Sequence, residues 1–242
     1  MLSLALMPPL PAPMYKPTVS PQQMLGMVCH DLRTPLQAVS MAAELLSRRQ
    51  HTADTLKLLG TISDSVARAQ RLVADLLDYT LLQEGRGIAL HPVLCDLSEA
   101  VARCVEELRL TCPDYPLIHL HLGERSALFD KDRLHQAVSN LVANAVAYGE
   151  RGAPIQVTSR SYGRAATVSV HNWGVPIAAE LLGRLFEPLV RGQQRAAKAG
   201  SIGLGLFIVR QIAQAHAGEV SVTSTEQAGT TFCITLAMPL PQ

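Results

Sequence analysis

The sequence has no excess of either charge: 21 basic residues stand against 20 acidic ones, for a formal net charge of +1. That balance removes any reason to expect nucleic acid or an anionic membrane as the main partner. Also missing is an apolar run of the about 20 residues that a membrane span needs. The opening stretch MLSLALMPPLPAPM is apolar, but no basic segment precedes it and prolines break it, which argues against a signal peptide. The five cysteines, Cys29, Cys95, Cys104, Cys112 and Cys233, form no CxxC and no Cys/His cluster with metal-ligand spacing. They read as reduced, small apolar residues of a cytoplasmic protein. Internal repeats are absent too. What remains is a chain of 242 residues, 48% hydrophobic, that can fold into one or two domains behind a disordered tail at 1–20.

The series Leu25, Val28, Leu32, Pro35, Val39, Ala42, Leu46 advances by alternate threes and fours, which is a heptad seam. After the polar break RRQHTAD, a second series, Leu59, Ile62, Val66, Ala69, Val73, Leu76, repeats the rhythm. Residues 21–84 are therefore expected to form a helical hairpin. Its seams are too long to bury against each other alone, so dimerisation into a four-helix bundle is expected. With Leu25 at position a, His30 falls at f, Thr34 at c and Asp31 at g, so that His30 and Thr34 project outward. A lone exposed histidine is usually just solvated. Here it has an adjacent carboxylate, a hydroxyl at i+4 on the same face and a helix-interior proline, Pro35, that costs about 3 kcal/mol. Pro35 offers no N–H to the Asp31 carbonyl, which weakens the helix beside His30.

The helical pattern stops at QEGRG, 83–87, and the second domain, 85–242, alternates helices with strands. DLSEAVARCVEELRL reads as a helix capped by Asp96 or Ser98, PLIHLHLG as a strand, and KDRLHQAVSNLVANAVAYG as a helix closed by Gly149. PIQVTSR, ATVSVHN, EVSVTST and TTFCITLA read as strands, with a helix over about Gly203–Ala217 between the two pairs. The fold class is α+β: a helical hairpin followed by an α/β sandwich with helices on one face of a mixed sheet.

Several stretches carry chemistry. In SNLVANAVAYG, Asn140 and Asn144 share a helix face, while Leu134, Val138, Leu141 and Ala145 form the buried stripe; two stacked amides mid-helix read either as a ligand site or as surface asparagines. HNWGVPI follows a strand with a glycine turn. LFEPLVRG leads into RGQQRAAKAGS, where Arg191, Arg195 and Lys198, with the earlier Arg184, offer cations to phosphates. Gly203, Leu204 and Gly205 open a helix, where small residues let an anion reach free amides. His119 and His121 share one side of a strand but lack a third metal ligand. Trp173, the only tryptophan, either covers a ligand pocket or caps a sheet end.

Taken in order, these stretches resemble the sensor histidine kinases of two-component systems over about residues 21–238. HDLRTPL is similar to their H box, Asn140–Asn144 to the N box, HNWGVPI to the G1 box, LFEP to the F box, and GLGL with GTTF to the G2 region. The resemblance implies a dimeric phosphoacceptor hairpin and a Bergerat-type ATP-binding domain. It implies His30 as the phosphoryl acceptor, Asp31 as its polarising partner and Thr34 as a residue orienting water for dephosphorylation of a response regulator. It further implies Mg²⁺ held by Asn144 with Asn140, Tyr148 packing near the nucleoside, and ATP contacts from Asn172, Gly174, Arg191, Gly203, Leu204 and Gly205. An asparagine at 140, where related ATPases carry a glutamate base, favours phosphoryl transfer over hydrolysis.

The chain departs from the family at the G1 box: Asn172 replaces the usual aspartate that receives the adenine amino group, and Pro176 replaces the second glycine. A neutral acceptor there weakens ATP binding by about 1 kcal/mol. Ala147 stands where a lysine is often found. The implied partners are a second copy of the chain, a receiver domain and, because the stretch before the hairpin is too short for an input domain, a separate sensor protein. The alternative is a phosphotransfer adaptor whose ATP domain has decayed; a third reading, a phosphatase-dominant regulator relying on Thr34, shares the same fold.

Overall fold

The computed structural model describes residues 21–48, 52–124, 126–162, 165–190 and 203–237. Two long helices come first, α1 (Pro21–Ser47) and α2 (Ala53–Gln83), about 40 and 46 Å long at 1.5 Å per residue. The α1 backbone stays helical through Pro35. Thr52 starts α2, its Oγ1 accepting from the Thr55 amide at 3.3 Å.

The two helices pack antiparallel, and the second seam is buried at alternate positions: Leu59, Val66 and Val73 are buried, Ala69 and Leu76 are half-buried, and Ile62 is exposed. The first is less covered. Leu32 and Val39 remain 47% and 45% exposed, and the buried position is Ala43, next to the expected Ala42. A single helix partner covers one stripe only, and α1 turns Leu36, Ser40 and Ala43 towards α2. Most of its heptad seam is left uncovered within one chain.

The second domain comprises β1 (Val93–Asp96), α3 (Leu97–Thr111), β2 (Leu117–Gly123), β3 (Ser126–Phe129), α4 (Lys131–Tyr148), β4 (Ile155–Tyr162) and β5 (Ala165–Asn172). It continues with the short α5 (Ala179–Leu182), α6 (Gly205–Ala215), β6 (Glu219–Thr225) and β7 (Gly229–Ala237). The main sheet runs β2-β4-β5-β7-β6, parallel between β2 and β4 and antiparallel elsewhere. It is the mixed sheet read from the sequence. Helices α3, α4 and α6 cover one face. The period of two shows directly: Val168, Val170, Phe232, Ile234 and Leu236 are buried under the helices, while Thr167, Ser169, Thr231 and Thr235 alternate onto the other face. Each such buried aliphatic or aromatic side chain contributes about 1.5–3 kcal/mol.

Three elements were not legible beforehand. The β1–β3 pair and α5 are four residues each, too short to display a period. Helix α6 begins at Gly205 instead of Gly203 because Gly203 has φ +83°, outside the helical region. The Asp96 alternative for the α3 cap is the one realised, with Oδ1 accepting from the Glu99 amide at 3.0 Å.

The hairpin is not strung loosely to this domain. Leu82 at the end of α2 and Ile88 in the connection pack against the sheet-domain core. The His91 amide donates to Asp130 Oδ2 at 2.7 Å, on the residue that caps α4.

Candidate nucleotide and phosphotransfer site

Helix α4 is held at both ends. Asp130 Oδ1 accepts from the Asp132 and Arg133 amides at 3.0 Å each, and the Asp130 amide donates to His216 Nε2 at 3.1 Å, tying the start of α4 to the end of α6. Burial would raise the Asp130 carboxyl, but the three backbone donors and the Arg133 charge outweigh it and hold it below its ordinary value. Leu134, Val138, Leu141 and Ala145 are buried as the sequence predicted. The opposite face carries Arg133, Gln136, Asn140 and Asn144, all partly exposed.

At the far end of α4 the β5 turn closes on it. Gly149 bridges Gly174, and the Glu150 amide donates to the Trp173 carbonyl at 2.7 Å. A Cβ at Gly174, whose φ is +151°, would lie 2.9 Å from the Tyr148 carbonyl, so this close approach requires glycine. Asn172 is buried at 5% exposure, and its Nδ2 donates to the Trp173 carbonyl at 3.1 Å. Its Oδ1 accepts from no group among the described residues and is the atom left for a donor. Tyr148, Asn172 and Gly174 thus meet at one end of the sheet. Trp173 itself is 40% exposed and lies edge-on to His171, with centroids 5.1 Å apart.

The third part is the start of α6. The Leu189 amide donates to the Gly203 carbonyl at 2.9 Å. A Cβ on Gly203 would lie 2.9 Å from the Val190 carbonyl. Leu204 is buried, and a Cβ on Gly205 would stand 3.4 Å from Asn140 Cγ. The first turn of α6 therefore lies directly against the amide of Asn140, with no side chain between them. Free amides at a helix start suit an anion, and amide oxygens are hard donors that suit Mg²⁺. These residues fit a magnesium-bound polyphosphate.

A fourth group was missed by sequence reasoning. Asn140 Nδ2 donates to Gly205 O and to Asp75 Oδ1 of α2, both at 3.4 Å. Burial pushes the Asp75 carboxyl up to about 6; hydrogen bonds from Gln136 and Asn140 offset part of that, and the neighbouring Asp78 adds to it. Arg133 Nη1 pairs with Asp78 Oδ2 at 2.7 Å. Asp75 and Asp78 sit at c and f of the heptad count, positions that read as solvated. A groove of about 670 Å³ between the hairpin and the sheet domain is lined by Arg33, Arg71, Asp75, Arg133, Gln136 and Asn140, among others.

His30, Asp31 and Thr34 belong to α1 by backbone, but their side chains lie outside what is described. Arg191, Arg195 and Lys198 lie outside the described residues, as does the tail 1–20. His119 Nε2 and His121 Nδ1 both meet Ser159 Oγ, at 2.9 and 2.7 Å, so a buried serine explains their shared face. Burial, with the His121 and Arg109 charges, lowers the His119 imidazole. No cluster of three or more metal-ligating side chains occurs among the described residues. Nor, among them, is any helix long and apolar enough to cross a membrane.

Comparison with known proteins finds the same two-part fold. Residues 21–85 match the His Kinase A (phospho-acceptor) domain, and residues 129–240 match the histidine kinase-, DNA gyrase B- and HSP90-like ATPase family. The chain is 36% identical over 216 residues to a bacteriophytochrome of Pseudomonas aeruginosa, covering 89% of this chain and 29% of that protein. It is 31% identical over 226 residues to the sensor histidine kinase AtsR of Burkholderia thailandensis, covering 90% of this chain and 37% of AtsR. Full-length ShkA in complex with AMPPNP superposes with a TM-score of 0.64 at 25% identity, over 91% of this chain and 47% of ShkA. Acinetobacter baumannii AdeS, 21% identical, shares the fold at a TM-score of 0.58, over 87% of this chain and 98% of AdeS. The chain spans a minor part of the bacteriophytochrome and of AtsR.

Proposed function

Because the chain belongs to the histidine kinases, joining a phospho-acceptor hairpin to an ATPase domain, we propose that it transfers the γ-phosphoryl group of ATP to His30. The observation that carries this reading is that Gly203–Gly205 abut Asn140 in the middle of α4 and the Asn172–Gly174 turn closes on its C-terminal end, beside the hairpin that bears the histidine. In the proposed step an imidazole nitrogen of His30 attacks the γ-phosphorus while the bond to the bridging β–γ oxygen breaks and ADP leaves with that electron pair. The imidazole proton passes to Asp31. The amides opening α6 hold the phosphates, Asn172 Oδ1 receives the adenine amino group, and Tyr148 packs near the nucleoside. Asn144 and Asn140 would hold Mg²⁺, which supplies positive charge against the phosphate oxygens. With no carboxylate at position 140 to activate water, positioning and charge neutralisation carry the reaction.

The phosphohistidine then passes its group to an aspartate of a receiver domain, and Thr34 orients the water that hydrolyses the receiver's phosphoaspartate to aspartate and inorganic phosphate. The chain acts as a homodimer in the cytoplasm. Support for the dimer comes from the exposed α1 seam, and for the compartment from four unpaired cysteines, Cys95, Cys104, Cys112 and Cys233.

One feature favours a second reading, a phosphotransfer adaptor without kinase activity: Asn172 stands where the resemblance to the family implies an aspartate. Incubation with Mg²⁺ and γ-labelled ATP separates the two. The kinase reading expects acid-labile, alkali-stable label that His30→Ala abolishes. Absence of label in the wild type, with acceptance of phosphate from a phosphorylated receiver domain, would establish the adaptor.

A further inference from the structure

Of the polar contacts between α2 and α4, those of Arg133 and Gln136 have no part in the reaction just described, while the Asn140–Asp75 bond joins them to its site. Asp75 and Asp78 lie three residues apart on α2 and are only 7% and 6% exposed. Arg133, Gln136 and Asn140 fall on one face of α4, at i, i+3 and i+7. Gln136 Nε2 donates to Asp78 Oδ2 at 2.9 Å and to Asp75 Oδ1 at 3.2 Å, between the Arg133–Asp78 pair and the Asn140–Asp75 bond. One residue further along α2, Tyr79 meets Phe207 of α6 edge to face, with centroids 5.8 Å apart. Both helices that border the nucleotide site are thus fastened to the hairpin, α4 in part through Asn140 of that site.

We infer that Asp75 and Asp78 form an interdomain latch holding the ATPase domain on its own hairpin in a resting arrangement, and that nucleotide binding and the latch oppose each other. The physical reason is charge and geometry. A triphosphate at the start of α6 brings several negative charges next to Asn140, whose amide already donates to a buried carboxylate. Like charges brought together in a desolvated place disfavour simultaneous occupancy. Polyphosphate binding therefore loosens the latch and frees the domain to move along the hairpin. By linkage, loosening the latch tightens nucleotide binding by the same factor.

This inference rests on the reading of Gly203–Gly205 as the phosphate cradle. The test uses the full chain and a non-hydrolysable ATP analogue in EDTA, with affinity measured by calorimetry. Asp78→Ala and Arg133→Gln are expected to bind the analogue fivefold or more tightly than wild type. The exchanged pair Asp78→Arg with Arg133→Asp is expected to return the affinity towards wild type. In wild type, saturating analogue is expected to speed trypsin cleavage after Arg86, in the connection just past α2. Unchanged or weaker affinity in both single variants, with native helicity retained, overturns the latch. If a single variant fails to fold, the wild-type cleavage experiment decides: no effect of the analogue on the Arg86 site also overturns it. Failure of wild type to bind the analogue at all would instead refute the phosphate reading, and the latch with it.

Discussion

Asp130 shows how much one side chain can settle here. It caps α4, accepts the His91 amide from the connection and, through its own amide, reaches His216 at the end of α6. Its carboxyl is held below the ordinary carboxylate range, so the charged form stabilises the fold. That contribution is present above about pH 4 and is lost as the pH falls through the depressed value. Asp130→Ala is expected to cost about 1–2 kcal/mol at pH 7 in urea unfolding, and the gap to wild type should narrow below about pH 4. A gap that stays constant from pH 7 to pH 3 would refute this account. The cap position itself is readable from the sequence, since an aspartate precedes the helical pattern. The other two tethers are not, because His91 and His216 lie 39 and 86 residues away from it.

At the scale of elements, the start of α6 depends on backbone shape more than on side-chain chemistry. Gly203 adopts φ +83°, and any Cβ there would press on the Val190 carbonyl. Gly203→Ala is expected to destabilise the domain by about 1–2 kcal/mol and to weaken binding of an ATP analogue, because Leu189 and Val190, which lie against Gly203, must shift. Thermal unfolding and calorimetry check the two parts separately; an alanine variant with wild-type affinity would remove Gly203 from the cradle. The glycines were visible in the sequence, but their conformations were not. A glycine in a loop and a glycine that permits a 3 Å backbone approach are the same letter.

Seen whole, the molecule leaves unfinished surface. Leu32, Val39, Met41 and Leu45 of α1 remain exposed in the single chain, as do Leu58 and Ile62 of α2. A second hairpin packed against these faces would complete a four-helix bundle. Light scattering is therefore expected to report a dimer, and Val39→Glu to shift it to monomer at micromolar concentration, since a buried charge opposes the seam. A variant that stays fully dimeric would show that the copies meet elsewhere.

Residue order by itself determined the helical hairpin, the mixed sheet that follows it and the stretches proposed to carry the nucleotide chemistry. Each of these is local: periodicity and short motifs are properties of neighbouring residues. Only the tertiary structure decided which stripe of α1 faces α2, and that Asp75 and Asp78, on the side of a helix that reads as solvated, are buried against Arg133, Gln136 and Asn140. The physical reason is sequence separation. Those contacts join residues 55 to 65 positions apart, and burial across a domain interface leaves no period in the chain that forms it.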